Sequence, residues 1–258
     1  MALLEINDIH KSFGGLSAVV GVDMKLVSGE LVGLIGPNGA GKTTVFNLLT
    51  GVYKPNAGDI LFNGESIVGL KPHTICGKGV ARTFQNIRLF SQLSVLDNVR
   101  IAFHKDVGYN MLAAILRTPA FWRQEQEITE KALNLLSLMD LGHRSQEIAS
   151  GLPYGEQRRL EIARALATNP RLLVLDEPAA GMNPQETHDL TELIMRLRDE
   201  FDLTVLLIEH DMSLVMGVCE RLYVLNYGQI IAEGLPGDIR QNQHVIEAYL
   251  GEEVAPGA

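Results

Sequence analysis

The sequence predicts an α/β protein with a mostly parallel core sheet, an antiparallel β portion and an inserted helical subdomain. Three observations carry this expectation. The short runs Leu31 to Ile35, Leu172 to Leu175 and Val205 to Ile208 are apolar or glycine throughout, as in strands buried on both faces. Helical patterns separate these runs, which favours parallel pairing through crossovers. Between them, from about residue 94 to 168, the pattern is helical and carries no strand signal.

Taken in order, Leu3 to Ile9 and Val22 to Val27 alternate apolar and polar, and Ser28-Gly29 makes a turn. Leu31 to Ile35 is a buried strand, followed by a glycine-rich turn and a helix from about Lys42 to Leu49, closed by Gly51. Ser94 with Asp97 resembles a capping box at a helix start. A second helix is expected from Phe121 to Leu141, with Ile128, Ala132, Leu135, Leu136 and Met139 on one stripe and Gly142 as its C-cap. After Pro170 come a strand at Leu172 to Leu175, an amphipathic helix over residues 185–200 and a strand at Thr204 to Ile208. Arg221 to Asn226 and Gln229 to Glu233 read as a hairpin about Tyr227-Gly228. The organisation expected is a first part of the core over 1–93, a helical subdomain over 94–168, a second part of the core over 169–250 and a frayed tail over 251–258.

The 258 residues are long enough to bury a core without a disulfide or metal staple. Twenty-two Lys and Arg against 31 Asp and Glu give a net charge of −9, which argues against nucleic-acid partners and against unaided adhesion to anionic lipid. Cys76 and Cys219 lack metal-ligand spacing and read as reduced thiols. The opening MALLEINDIH has no signal-peptide pattern, and no apolar run approaches the ~20 residues a bilayer needs. Any polyanion must therefore be held by a local arrangement.

Residues 36–43, GPNGAGKT, fit G-x-x-x-x-G-K-[ST] in full, between a buried strand and a helix start. Glycines bring backbone N–H groups close to phosphate oxygens, and the helix N-terminus adds about half a positive charge. Lys42 can reach the β- and γ-phosphates and Thr43 can ligate Mg²⁺. The strand Leu172 to Leu175 ends in Asp176 and Glu177, at the end of a parallel strand where ligands sit. There Asp176 can hold Mg²⁺ through water, and Glu177 can polarise an attacking water. The strand Thr204 to Ile208 ends in Glu209-His210, so His210 can donate to the γ-phosphate. Gln85 and Phe13, taken alone, read as a surface residue and a core aromatic.

The order of these motifs resembles the nucleotide-binding subunits of ABC transporters over nearly the whole length. Walker A is GPNGAGKT, the Q-loop TFQN, Walker B LLVLDE and the switch histidine stands in LIEHD; LPYGEQRRLEIARAL is similar to the family's signature and its helix. On that helix Leu160, Ala163 and Ala167 line one face, and Arg158 and Arg159 another. The resemblance implies that Gln85 senses the γ-phosphate and Mg²⁺ and acts with Glu177 and His210 in hydrolysis. It implies that ATP is held by Phe13, Gly36, Asn38, Gly39, Ala40, Gly41, Lys42, Thr43 and Thr44, with Thr43, Gln85 and Asp176 at the metal. Gly155 and the helix beginning near Glu156 would meet ATP bound by the opposite subunit.

Three departures from the family pattern stand out. Pro153 and Tyr154 stand where LSGGQ has Ser and Gly, Asn183 replaces the D-loop aspartate, and Phe13 replaces a tyrosine. FGGLSAV (13–19), RTFQNIRLF (82–90), LDEPAAGMNP (175–184) and HVIEAYLGEE (244–253) are similar to ATP-binding subunits of branched-chain amino-acid importers. A lipopolysaccharide-export ATPase or a non-transport ABC ATPase remains the alternative. The resemblance implies a second ATP-binding subunit, transmembrane permease subunits docking near Ile87, Leu89 and Phe90, and indirectly a substrate-binding protein. It places the chain at the cytoplasmic face of the cell membrane, held through the permease.

Overall fold

The computed structural model describes residues 2–108, 111–209 and 212–253. The chain opens with strands β1 (Ala2–Phe13), β2 (Leu16–Val27) and β3 (Leu31–Ile35), then helix α1 (Lys42–Leu49). Strands β4 (Ala57–Phe62) and β5 (Glu65–Ser66), helix α2 (Pro72–Gly77) and strand β6 (Val80–Arg82) follow. The helical stretch comprises α3 (Val95–Phe103), α4 (Met111–Leu116), α5 (Pro119–Leu138) and α6 (Tyr154–Leu166). Then come β7 (Leu172–Asp176), α7 (Pro184–Phe201), β8 (Thr204–Ile208), α8 (Met212–Val218), β9 (Arg221–Asn226), β10 (Gln229–Gly234), α9 (Pro236–Gln241) and α10 (Gln243–Glu253).

Two sheets form. One is antiparallel in the order β2-β1-β4-β5, and the other runs β10-β9-β3-β8-β7-β6. In the second sheet β9, β3, β8, β7 and β6 are parallel and β10 pairs antiparallel at the edge. The period of two then divides the apolar residues between two cores. Leu31 and Ile35 of β3, Leu173 and Leu175 of β7, and Val205 and Leu207 of β8 face α3, α5, α6 and α7. Val32 and Leu34, Leu172 and Val174, and Leu206 and Ile208 face α1 and the antiparallel sheet. Each fully buried Leu or Val contributes about 1.5–3 kcal/mol of transfer free energy, so the doubly covered sheet is the main store of stability.

The structure corrects several boundaries. Strand β1 runs on from Ile9 to Phe13 because register shifts at Ile6/Ile9 and Ile9/Lys11, with Asp8 at φ 46°, absorb the break in alternation. Helix α5 starts earlier than Phe121, because the Thr118 side chain accepts from the Phe121 N–H and Pro119 occupies the first turn. It ends at Leu138, and its terminator is Asp140 at φ 57°, not Gly142. Leu141 N–H donates to Leu136 O at 2.8 Å and Asp140 N–H to Ser137 O at 3.1 Å, a Schellman closure. Gly142 instead opens a 3₁₀ turn. The stripe from Ile128 to Met139 is buried as expected. The hairpin turns at Tyr227 and Gly228, at φ 44° and 78°. Cys76 and Cys219 are both free.

Gly33 lets helix α8 and strand β9 close on β3. A Cβ there would lie 2.6 Å from Leu222 Cδ2 and 3.0 Å from Cys219 Sγ. Gly33→Val is therefore expected to destabilise the protein by about 1–3 kcal/mol through overpacking. Urea unfolding would show the midpoint falling with little change in slope.

Candidate active site

The site candidates gather at one edge of the parallel sheet. Leu34, Ile208 and Asp176 lie in one rung across β3, β8 and β7. The phosphate loop after β3 and the carboxylates after β7 are thus two strand spacings apart, roughly 10 Å. On the outer side β6 pairs with β7, Arg82 opposite Val174, so Thr83 to Gln85 leave the sheet at the same edge. Glu209 ends the described part of the segment after β8, and His210 lies outside the described residues.

Two glycines make the loop possible. Gly36 has φ 149° and a Cβ there would lie 2.0 Å from Leu225 O; at Gly41, φ 106°, it would lie 2.5 Å from Ala18 O. No L side chain fits either place. Asn38 and Gly39 are exposed, while Ala40 is buried and accepts the Gly228 N–H at 2.8 Å, which ties the β9-β10 turn beneath the loop. Lys42 is 7% exposed, and its Nζ donates to the carbonyls of Gly36 at 2.5 Å and Pro37 at 2.8 Å. Thr43 and Thr44 stand in the first turn of α1.

Asp176 is 7% exposed. Burial, then the neighbouring Glu177, pushes its carboxyl up to about 6, with Arg82 and Arg158 opposing. Glu177 holds φ 45°, a left-handed conformation rare outside glycine, and its N–H donates to Ile208 O at 2.8 Å. Gln85 Nε2 donates to Glu177 Oε2 at 2.7 Å, joining two residues 92 apart in sequence. The Thr43 hydroxyl, the Asp176 carboxylate and the Gln85 amide oxygen are hard oxygen donors of the kind Mg²⁺ takes. A buried carboxylate crowded by a second carboxylate is the group such a cation would compensate.

The loop carrying Gln85 is held from two sides that sequence reasoning missed. Arg82 stacks between the rings of Phe46 and Phe84, at 4.3 and 4.1 Å, and Arg88 lies over the same Phe84 at 4.3 Å. Arg82 Nη1 also donates to Thr50 Oγ1 at 2.7 Å, and burial lowers its guanidinium to about 10. From the other side α6 presents Arg158, expected on a polar face but fully buried, paired with Glu161 at 2.8 Å. The opposite charges three residues apart were the available signal.

The second group of candidates lies at the start of α6. That helix begins at Tyr154, two residues before Glu156, with Pro153 as its N-cap residue. Gly155 sits in its first turn, where a Cβ would lie 3.5 Å from Glu186 Oε1. Glu156 pairs with Arg144 Nε at 2.9 Å. Asn183 forms a capping box on α7: its side chain accepts from Gln185 and Glu186 N–H, and the Asn183 N–H donates to Glu186 Oε2 at 2.9 Å. Phe13, the last residue of β1, is 40% exposed, with Tyr53 edge-on at 5.1 Å and Lys11 Nζ 5.0 Å from its ring centre.

A glycine loop between a buried parallel strand and a helix, with carboxylates at the end of a strand two places along, defines a P-loop nucleoside triphosphatase. The chain belongs to the ABC transporter family, whose profile matches residues 19–180. A second profile, described as branched-chain amino acid ATP-binding cassette transporter, matches residues 229–255. The chain is 52% identical over 250 residues to the high-affinity branched-chain amino acid transport ATP-binding protein BraF of Pseudomonas aeruginosa, covering 97% of this chain and 98% of that one. It is 37% identical over 253 residues to the lipopolysaccharide export system ATP-binding protein LptB of Escherichia coli, covering 98% and 99%. In structure it is similar to the ADP conformation of an ATP-binding cassette of an ABC transporter: TM-score 0.85, 34% identity, 97% of this chain and 99% of that one.

The raised Asp176 carboxyl makes stability depend on pH in a defined direction. Its folded value of about 6 lies above the ordinary aspartate value of 3.8, so between these the folded state binds more protons. Stability from this group therefore falls as pH rises through that window. Without divalent cation, Asp176→Asn should melt above wild type, by a margin that grows from pH 4.5 to about 6.5 and then levels. Thermal unfolding across that range checks it; a margin that shrinks with pH contradicts the assignment.

Proposed function

We propose that the chain is the Mg²⁺-dependent ATP-hydrolysing subunit of an importer of branched-chain amino acids. The observation that carries this is the meeting of phosphate loop, Asp176, Glu177 and Gln85 at one sheet edge. The substrate class rests on the 52% and 50% identity to BraF and to LivG of Escherichia coli, against 37% to the lipopolysaccharide-export relative.

ATP enters with its adenine on Phe13 and its phosphates on the backbone from Gly36 to Gly41. Lys42 exchanges the carbonyls of Gly36 and Pro37 for β- and γ-phosphate oxygens. Thr43, Asp176 and Gln85 would hold Mg²⁺, which would supply charge neutralisation for those oxygens. Glu177 takes a proton from the attacking water, and Gln85, already bonded to its Oε2, sets the carboxylate's direction. His210, two residues after β8 in the sequence, is assigned by the family resemblance to donate to the γ-phosphate.

One chain carries one phosphate loop and one signature segment, so two subunits pair head to tail. Gly155 and Glu156, beside the Asn183-capped α7, then face the partner's ATP, and the Arg144 pairing keeps the Glu156 charge from opposing that phosphate. A groove of about 620 Å³ between β6 and the helical subdomain of 94–168 takes a cytoplasmic helix of the permease. Leu89 is half-buried there and Phe90 is 47% exposed. Among the described residues no helix is long and apolar enough to cross a membrane, so membrane attachment runs through that helix. A substrate-binding protein supplies the amino acid from the other side.

Glu177→Gln should keep ATP binding and favour the dimer, while turnover falls by about 10²–10⁴-fold. Unchanged turnover would remove Glu177 as the base. Reconstituted with its permeases, the complex should accumulate labelled leucine only with hydrolysable ATP, and uptake of a different substrate class would overturn the importer reading.

A further inference from the structure

Helix α6 buries two charges that the hydrolysis chemistry does not use. Arg158 and Glu161 are 0% and 1% exposed and face each other at 2.8 Å. Their remaining hydrogen bonds go to the loop after β6. Arg158 Nη1 donates to Phe84 O at 2.6 Å, and its Nη2 to Gln85 O at 2.9 Å. Glu161 Oε1 accepts the N–H groups of Phe84 and Arg88, both at 3.3 Å. Four backbone groups within residues 84–88 thus rest on one side-chain pair. Arg158 Nη2 also donates to the Tyr154 hydroxyl at 3.3 Å, at the first residue of α6. The Tyr154 ring lies against Gly181, 3.7 Å from where its Cβ would stand, in the loop that follows Glu177.

Such a pair is weak as a source of stability. Desolvating each ion costs several kcal/mol, and the buried Arg158 Nε is left without a hydrogen-bond partner. What the pair does supply is geometry, since every bond it makes fixes the glutamine loop or the helix start. We infer that the Arg158–Glu161 pair is a positioning device that locks the Gln85 loop to α6. This rests on the head-to-tail reading above, in which Gln85 serves the chain's own nucleotide and the start of α6 the partner's. A displacement at the start of α6 then moves Gln85, and through it the Glu177 carboxylate, so the two nucleotide sites are coupled inside each chain. Both side chains are closed to solvent, so neither is open to an arriving nucleotide.

The test is a double-mutant cycle on the full-length chain with Arg158→Gln, Gln85→Ala and the two combined. Turnover is read at saturating Mg-ATP, nucleotide Kd by fluorescence titration and folding by near-UV circular dichroism. Arg158→Gln should lower kcat about tenfold with Kd within about threefold, as expected for a misplaced catalytic group. In the Gln85→Ala background it should lower kcat no further, because both changes act through one loop. Where Arg158→Gln does not fold, Glu161→Gln, which keeps the side chain's shape, takes its place in the same cycle. Losses that multiply, or full turnover in a folded variant, overturn the inference. Unchanged turnover in Glu177→Gln would instead overturn the site reading, and that variant leaves Arg158 and Gln85 intact, so the two failures are distinct.

Discussion

Strands β3, β8 and β7 are hydrogen bonded side by side and apolar on both faces, so no polar side chain can leave the sheet except at a strand end. That constraint fixes where chemistry can occur. Alternate residues enter two separate cores, and a one-residue slip of any strand would exchange them, so register is held on both sides. With register held, the rung through Leu34, Ile208 and Asp176 is held too. The phosphate loop and the carboxylates inherit their separation from the sheet and need no loop to set it.

Much of this was legible in the chain. The three apolar runs became β3, β7 and β8, because a strand covered on both faces must be apolar throughout. The phosphate loop, the Ser94 cap and the Tyr227-Gly228 hairpin were legible because each depends on local geometry. Strand β6 was not: three residues, Val80–Arg82, carry no periodicity, and they form a strand only because β7 offers an edge. Arg158 failed for a different reason. A charged residue on an amphipathic helix reads as solvated, and its burial depends on a loop 73 residues away. The Gln85–Glu177 bond spans 92 residues and has no local signature.

The departures from the family pattern acquire structural content. Pro153 at the N-cap fixes the start of α6 at Tyr154, so the helix dipole begins where a serine hydroxyl would otherwise stand. Tyr154 in place of glycine packs its ring on Gly181 and offers its hydroxyl to Arg158. Asn183 keeps the capping function of an aspartate without its charge, since an amide oxygen accepts the Gln185 and Glu186 N–H groups equally well. Pro153 removes a hydroxyl and Asn183 a charge, whereas Tyr154 adds a ring and a hydroxyl that both find partners within the chain.

A chain of net charge −9 that gathers Asp176, Glu177 and Glu209 at one edge cannot accept a triphosphate on overall electrostatics. Two like charges 4 Å apart cost about 1 kcal/mol in water and about 4 at an effective dielectric of 20. The positive groups are therefore placed locally: Lys42 is buried within the loop, Arg82 is half-buried between Phe46 and Phe84, and the N-terminus of α1 directly follows the loop. They raise the local potential without changing the surface that the rest of the cell meets. Burial and the neighbouring Glu177 hold the Asp176 carboxyl up at about 6 against the opposing Arg82 and Arg158. A divalent cation bound here with the nucleotide, as proposed above, would offset that crowding of negative charge, so metal and triphosphate would each favour binding of the other.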